Sequence, residues 1–256
     1  MDQPIANHVT ERLGSRDRVL ALGGLLALSA AAWAYTVHGA AMHAGAMAPM
    51  QPMEWGAAEL AGLFIMWAVM MAAMMVPPAT PVFLLFLAVM RRRHGSAPAR
   101  ATAAFVGGYL AAWTGFSALA AAAQVALHSA ALLSPDTLRA TPPVAGALLV
   151  AAGVWQWTPM KRACLSHCRS PLYFLTTSWR EGIGGAFAMG ARHGLWCLGC
   201  CWLLMALLFV AGVMNLLWLA GLSALVLMEK VAPQGMRLGR AWGVLLVVAG
   251  VWLLRG

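Results

Sequence analysis

Apolar blocks of about 15 to 25 residues recur along the whole chain and leave few ways to fold it. A run of that length satisfies its backbone inside a bilayer only as a helix or as part of a closed barrel. Barrel strands alternate polar and apolar in period two, and these blocks do not. The reading is an all-α, polytopic transmembrane helical bundle, one integral membrane domain over residues 1–256, with the lipid bilayer as its first partner. Composition agrees: 62% of residues are hydrophobic and 10% charged, against about 25% charged in soluble domains.

The blocks predict about seven spans. The first covers Arg18–Val37; its Ala32-Trp33-Ala34 resembles a signal-peptidase site, but the segment reads as a retained helix. The second runs from Glu54 to Val76, where Pro77-Pro78 is expected to break it, and a further run, Val82–Met90, ends at Arg91-Arg92-Arg93. Then come Ala101–Ala126, Val144–Trp157, Ala186–Val213, Leu216–Met228 and Ala241–Leu254. With the N-terminus cytoplasmic, only Arg139 and Arg255 of the 17 Lys and Arg fall outside inward-facing segments. That asymmetry is the positive-inside pattern of a multi-pass protein of a cytoplasmic membrane. The formal charge of +9 is therefore a topology signal, and no nucleic-acid motif accompanies it.

Leu148-Leu-Val-Ala-Ala-Gly-Val-Trp155 is echoed by Leu245-Leu-Val-Val-Ala-Gly-Val-Trp252, and Trp67-x-x-Met70 by Trp202-x-x-Met205. Repeats suit transport folds, although such residues also match cheaply by composition.

The chemistry gathers in two stretches. Ala191–Met205, ARHGLWCLGCCWLLM, puts His193, Cys197 and Cys200 within a narrow helical arc, with Cys201 at its edge. Upstream, in a cytoplasmic linker at about 159–185, Cys164-Leu-Ser-His167-Cys168 carries donors at i, i+3 and i+4. Pro159 suits the start of a short helix there and Ser170-Pro171 its end. Lys161, Arg162 and Arg169, and Arg192 beside the second cluster, supply the positive charge that favours thiolates. Cysteines on the inner side point to reduced thiols or metal ligands rather than a disulfide framework, and five is an odd number.

Methionine adds a third feature. Met70 and Met74, and Met71 and Met75, are two Met-x-x-x-Met pairs in the second span, a spacing that resembles the filter of eukaryotic-type copper transporters. An external loop at about 38–54 holds Met42 and His43 among other Met and His residues. Thioethers select soft ions such as Cu(I). Each feature also has a packing reading, since methionine fills irregular gaps and a lone buried cysteine is an inert hydrophobe.

MWAVMMAAMMVPPATP, QWTPMKRACLSHCRSP and GAFAMGARHGLWCLGCCWLLM with the sequence following it resemble a bacterial membrane family of unknown function, described as predicted metal-binding integral membrane proteins. The resemblance covers about Trp55 to Pro233. It implies a bacterial inner-membrane location and a metal role for Cys164, His167, Cys168, His193, Cys197, Cys200 and Cys201.

These readings favour a soft-metal protein acting in transport or delivery. Cu(I) is the expected ion and zinc its rival, and a metallochaperone or partner membrane subunit is the expected contact. Two alternatives stand beside it: a membrane thiol–disulfide oxidoreductase using Cys197-Leu-Gly-Cys200, and a structural subunit of a larger complex. No catalytic set is legible, because carboxylates are few and no nucleophile–histidine–acid or phosphate-loop motif occurs.

Overall fold

Proline and small polar caps set most of the helix boundaries. The computed structural model describes residues 15–45, 56–94, 98–134 and 138–255. These form helices α1 (Ser15–Gly45), α2 (Ala57–His94), α3 (Pro98–Ser129), α4 (Pro142–Trp155), α5 (Pro159–Arg169), α6 (Pro171–Thr177), α7 (Gly182–Ala206), α8 (Leu208–Ala211), α9 (Leu216–Val231) and α10 (Gly235–Arg255). Pro98, Pro142, Pro159 and Pro171 each open a helix, where the missing N–H costs nothing. The Thr158 hydroxyl caps α5 by accepting from the Lys161 amide, and the Asn215 side chain caps α9 through the Trp218 amide. Among the described residues the only bridge of strand type is Leu133–Ala140, in the α3–α4 connection.

Among the described residues, five helical stretches are long and apolar enough to cross a membrane: Val19–Met42, Ala57–Arg93, Pro98–Ser129, Gly182–Ala211 and Gly235–Arg255. The remaining two expected spans are helical but short. At about 1.5 Å per residue, α4 is about 21 Å and α9 about 24 Å long, against a hydrocarbon core of about 30 Å.

Two expectations are corrected. The double proline does not end the second span: α2 continues through Pro77, Pro78 and Pro81 to His94. Pro77 has no N–H to offer the Ala73 carbonyl four residues back. That oxygen instead accepts from the Trp33 indole on α1 at 3.1 Å, while the Thr80 hydroxyl donates to Val76 O and the Tyr109 hydroxyl to Met75 O. A neighbouring side chain thus supplies the donor that Pro77 withholds, and the two hydroxyls add bonds to carbonyls of the same stretch. Likewise α1 runs to Gly45, so the first part of the expected Met/His loop is helix. Met42 lies on it at 63% exposure. The side chain of His43 and all of Met47, Met50 and Met53 lie outside the described residues.

Helix α7 is the hub. It packs most extensively on α3, and α5 lies against it. The α3–α7 crossing is close enough that a Cβ on Gly190 would strike the Phe105 backbone, and one on Gly108 the Phe187 carbonyl. Small residues let membrane helices approach this way. The pair α4–α10 crosses through Gly146 against Gly250 and Gly153 against Gly243. These are the two echoing segments packed on each other. Gly153 and Gly250 are equivalent positions of the echo, so the antiparallel pair has a local two-fold relation.

Candidate metal-binding site

The short helix folds back on the hub and brings the two cysteine clusters together. A Cβ built on Gly199 of α7 would sit 2.6 Å from Cys164 Sγ, so the thiol of α5 rests in the gap that this glycine leaves. The Cys168 thiol neighbours Cys197 and Cys200, and Cys201 neighbours the same two. All five thiols are free and buried. Cys200 and Cys201 donate to the Cys197 carbonyl at 3.0 and 2.9 Å, so both side chains turn back along α7. On α5, burial and then the neighbouring Cys200 push the Cys164 thiol above its ordinary range. Hydrogen bonding to Cys197 and Cys200 does the same for Cys168.

Met75 joins this cluster from α2, its Sδ 4.0 Å from Cys201 Sγ. Two sulfurs each about 2.3 Å from one ion and about 120° apart would be separated by about 4.0 Å, so this pair has the spacing of two ligands to a soft ion. Met70, Met71 and Met74 are fully buried in the same core.

The histidines pack against aromatic rings. The His167 ring stacks on Trp196 at 4.1 Å and 7°, with Nδ1 2.9 Å from Ala163 O. His193 is buried among Phe105, Tyr109 and Phe174, and its Nδ1 has no hydrogen-bond partner. Among the described residues no three His, Cys, Asp or Glu side chains form a metal-holding group. The sulfur-rich arrangement therefore gathers thiols with a thioether, a donor set for a soft ion at low coordination number.

Sequence reading missed the charges that organise this centre. Lys230, at the end of α9, donates to Cys197 Sγ at 2.9 Å, and the Tyr109 hydroxyl lies 3.1 Å from the same sulfur. Next to it Glu229 is held by Lys161 Nζ at 2.7 Å and Gln156 Nε2 at 3.0 Å, all three residues buried. Arg169 donates to the Glu229 and Pro233 carbonyls. Lys161 and Arg169 stand at opposite ends of α5, so this helix is clamped to α9 at both ends with its thiols against α7. Of the basic residues expected beside the thiols, Lys161 and Arg169 serve the clamp, and Arg162 and Arg192 are exposed. The missed signal was Glu229-Lys230 closing an apolar run, where ionisable residues point inward.

An apolar helical bundle whose buried centre holds five thiols and a thioether defines a protein suited to soft metals. The chain belongs to the PpoB2 family, described as copper chaperone, whose model matches residues 64–253. No curated protein and no solved structure matches the chain. The matched range takes in the cysteine helices, the four buried methionines of α2 and Lys230, and leaves out α1 with Met42 and His43.

Proposed function

We propose that this protein carries Cu(I) within a bacterial inner membrane, taking the ion into the buried thiol–thioether centre and handing it to a partner. The observation that carries the reading is the meeting of Cys164 and Cys168 with Cys197, Cys200 and Cys201 beside Met75. Copper is the cargo here, and the family match supports its identity. Cys197 with Cys201 or Cys168 holds the ion in this reading, Met75 stands beside Cys201, and Cys200 and Cys164 extend the site. Met70, Met71 and Met74 continue a soft track along α2. Met42 and His43 are its outermost donors, while His193 and His167 flank the thiols on the inner side. Seven traversals with the N-terminus inside, and delivery to a metallochaperone or partner subunit, complete the proposal.

The test is Cu(I) competition with a chromophoric chelator on purified protein, set against Zn(II). Wild type should retain Cu(I), Cys197→Ser should lose it, and Met75→Leu, which conserves volume, should weaken it with the fold intact. Tight Zn(II) retention with Cu(I) ignored overturns the reading.

A further inference from the structure

Lys230 is 6% exposed, and its ammonium group sits against a sulfur rather than a carboxylate. Glu229, the adjacent carboxylate, is already taken by Lys161 and Gln156. The Lys161–Glu229 pair is neutral by itself, so it contributes no net charge to the thiol centre. Lys230 Nζ donates to Cys197 Sγ at 2.9 Å, so an ammonium there and a thiolate at Cys197 cancel. Every further charge entering the centre is counted from that zero.

We infer that Lys230 is a specificity-determining residue of this site, its fixed positive charge matched to a monovalent ion held by two thiolates. The inference rests on the copper reading above. When Cu(I) binds Cys197 and a second thiol, Cys201 or Cys168, two metal–sulfur bonds form and the second thiol releases its proton to solvent. One positive charge enters, one leaves, and no electron moves. The bis-thiolate complex carries −1, and the Lys230 ammonium at 2.9 Å from Cys197 cancels it. A divalent ion on the same two thiolates is neutral in itself, so Lys230 is left as an uncompensated buried cation, which a low-dielectric interior penalises heavily. With Lys230 still charged, a divalent ion reaches neutrality by recruiting and deprotonating a third thiol. Lys230 therefore works through charge, without touching the ion.

The experiment measures Cu(I) and Zn(II) affinities of full-length protein in detergent for wild type, Lys230→Met, Lys230→Gln and Lys230→Arg, with helicity and monodispersity checked for each. Methionine and glutamine should lower Cu(I) affinity by about tenfold or more and leave Zn(II) affinity equal or higher, so the ratio shifts toward zinc. Arginine should keep the wild-type ratio. Equal loss of both ions in the folded Met and Gln variants marks Lys230 as structural only and overturns the inference. So does an unchanged ratio while wild type still holds Cu(I) through Cys197; that outcome leaves the copper reading intact. Wild type that holds no Cu(I) removes both.

Discussion

Lys161 Nζ lies 2.7 Å from Glu229 Oε2, and both side chains are buried, 3% and 2% exposed. Charges so placed are costly to bury and costlier to separate. Removing one partner strands the other, at about 3–5 kcal/mol, whereas replacing both with apolar groups of similar volume is often neutral. Lys161→Met and Glu229→Met should each lower the thermal midpoint in detergent markedly, and the two together should recover most of the loss. A double variant as unstable as the sum of the singles would show that the pair is not acting as a unit.

The contact between Trp33 and the Ala73 carbonyl predicts a coupled pair of substitutions. Trp33→Phe leaves that oxygen without its donor, at about 1–3 kcal/mol. Pro77→Ala restores an N–H four residues on. In the Trp33→Phe background Pro77→Ala should therefore stabilise by about 1 kcal/mol more than in wild type, measured as a double-mutant cycle.

Close helix crossings make some glycines irreplaceable and leave others free. Gly190→Ala and Gly108→Ala push a methyl into the backbone across the α3–α7 crossing, which no rotamer change relieves. Gly107 and Gly115, on the same helix as Gly108, have open space at the Cβ position. Alanine there should be neutral or stabilising by about 0.5–1 kcal/mol. Fluorescence-detected size exclusion after heating should show loss of folded protein for the first two substitutions and none for the second two.

The Cys164 thiol predicts alkaline behaviour. Its proton is held more tightly in the folded state, because burial raises the group above its ordinary value of 9.0. The associated stability is full below that value and is lost as pH rises through the folded-state value. Metal-free wild type should lose thermal stability above about pH 9, and Cys164→Ala should lose less over the same range. Parallel curves for the two proteins would remove Cys164 as a contributor.

Much of this protein was legible in the residue order. Apolar block length gave the all-helical class, because only internally bonded backbone is stable in such a run. Pro159 and Ser170-Pro171 gave the bounds of the cysteine helix, since capping and proline geometry are local. The i, i+3 and i+4 spacings gave the two thiol clusters. What residue order could not give was anything decided by a partner distant in sequence. Whether Pro77 breaks a helix depends on a donor 40 residues away, at Trp33. Whether Cys164 meets Cys200 depends on the gap at Gly199 and on a clamp that joins Lys161 to Glu229 across 68 residues. In the residue order Lys230 only closes an apolar run. Only the packing of α9 against the hub set its charge on Cys197, because a buried cation takes the acceptor that tertiary structure brings to it.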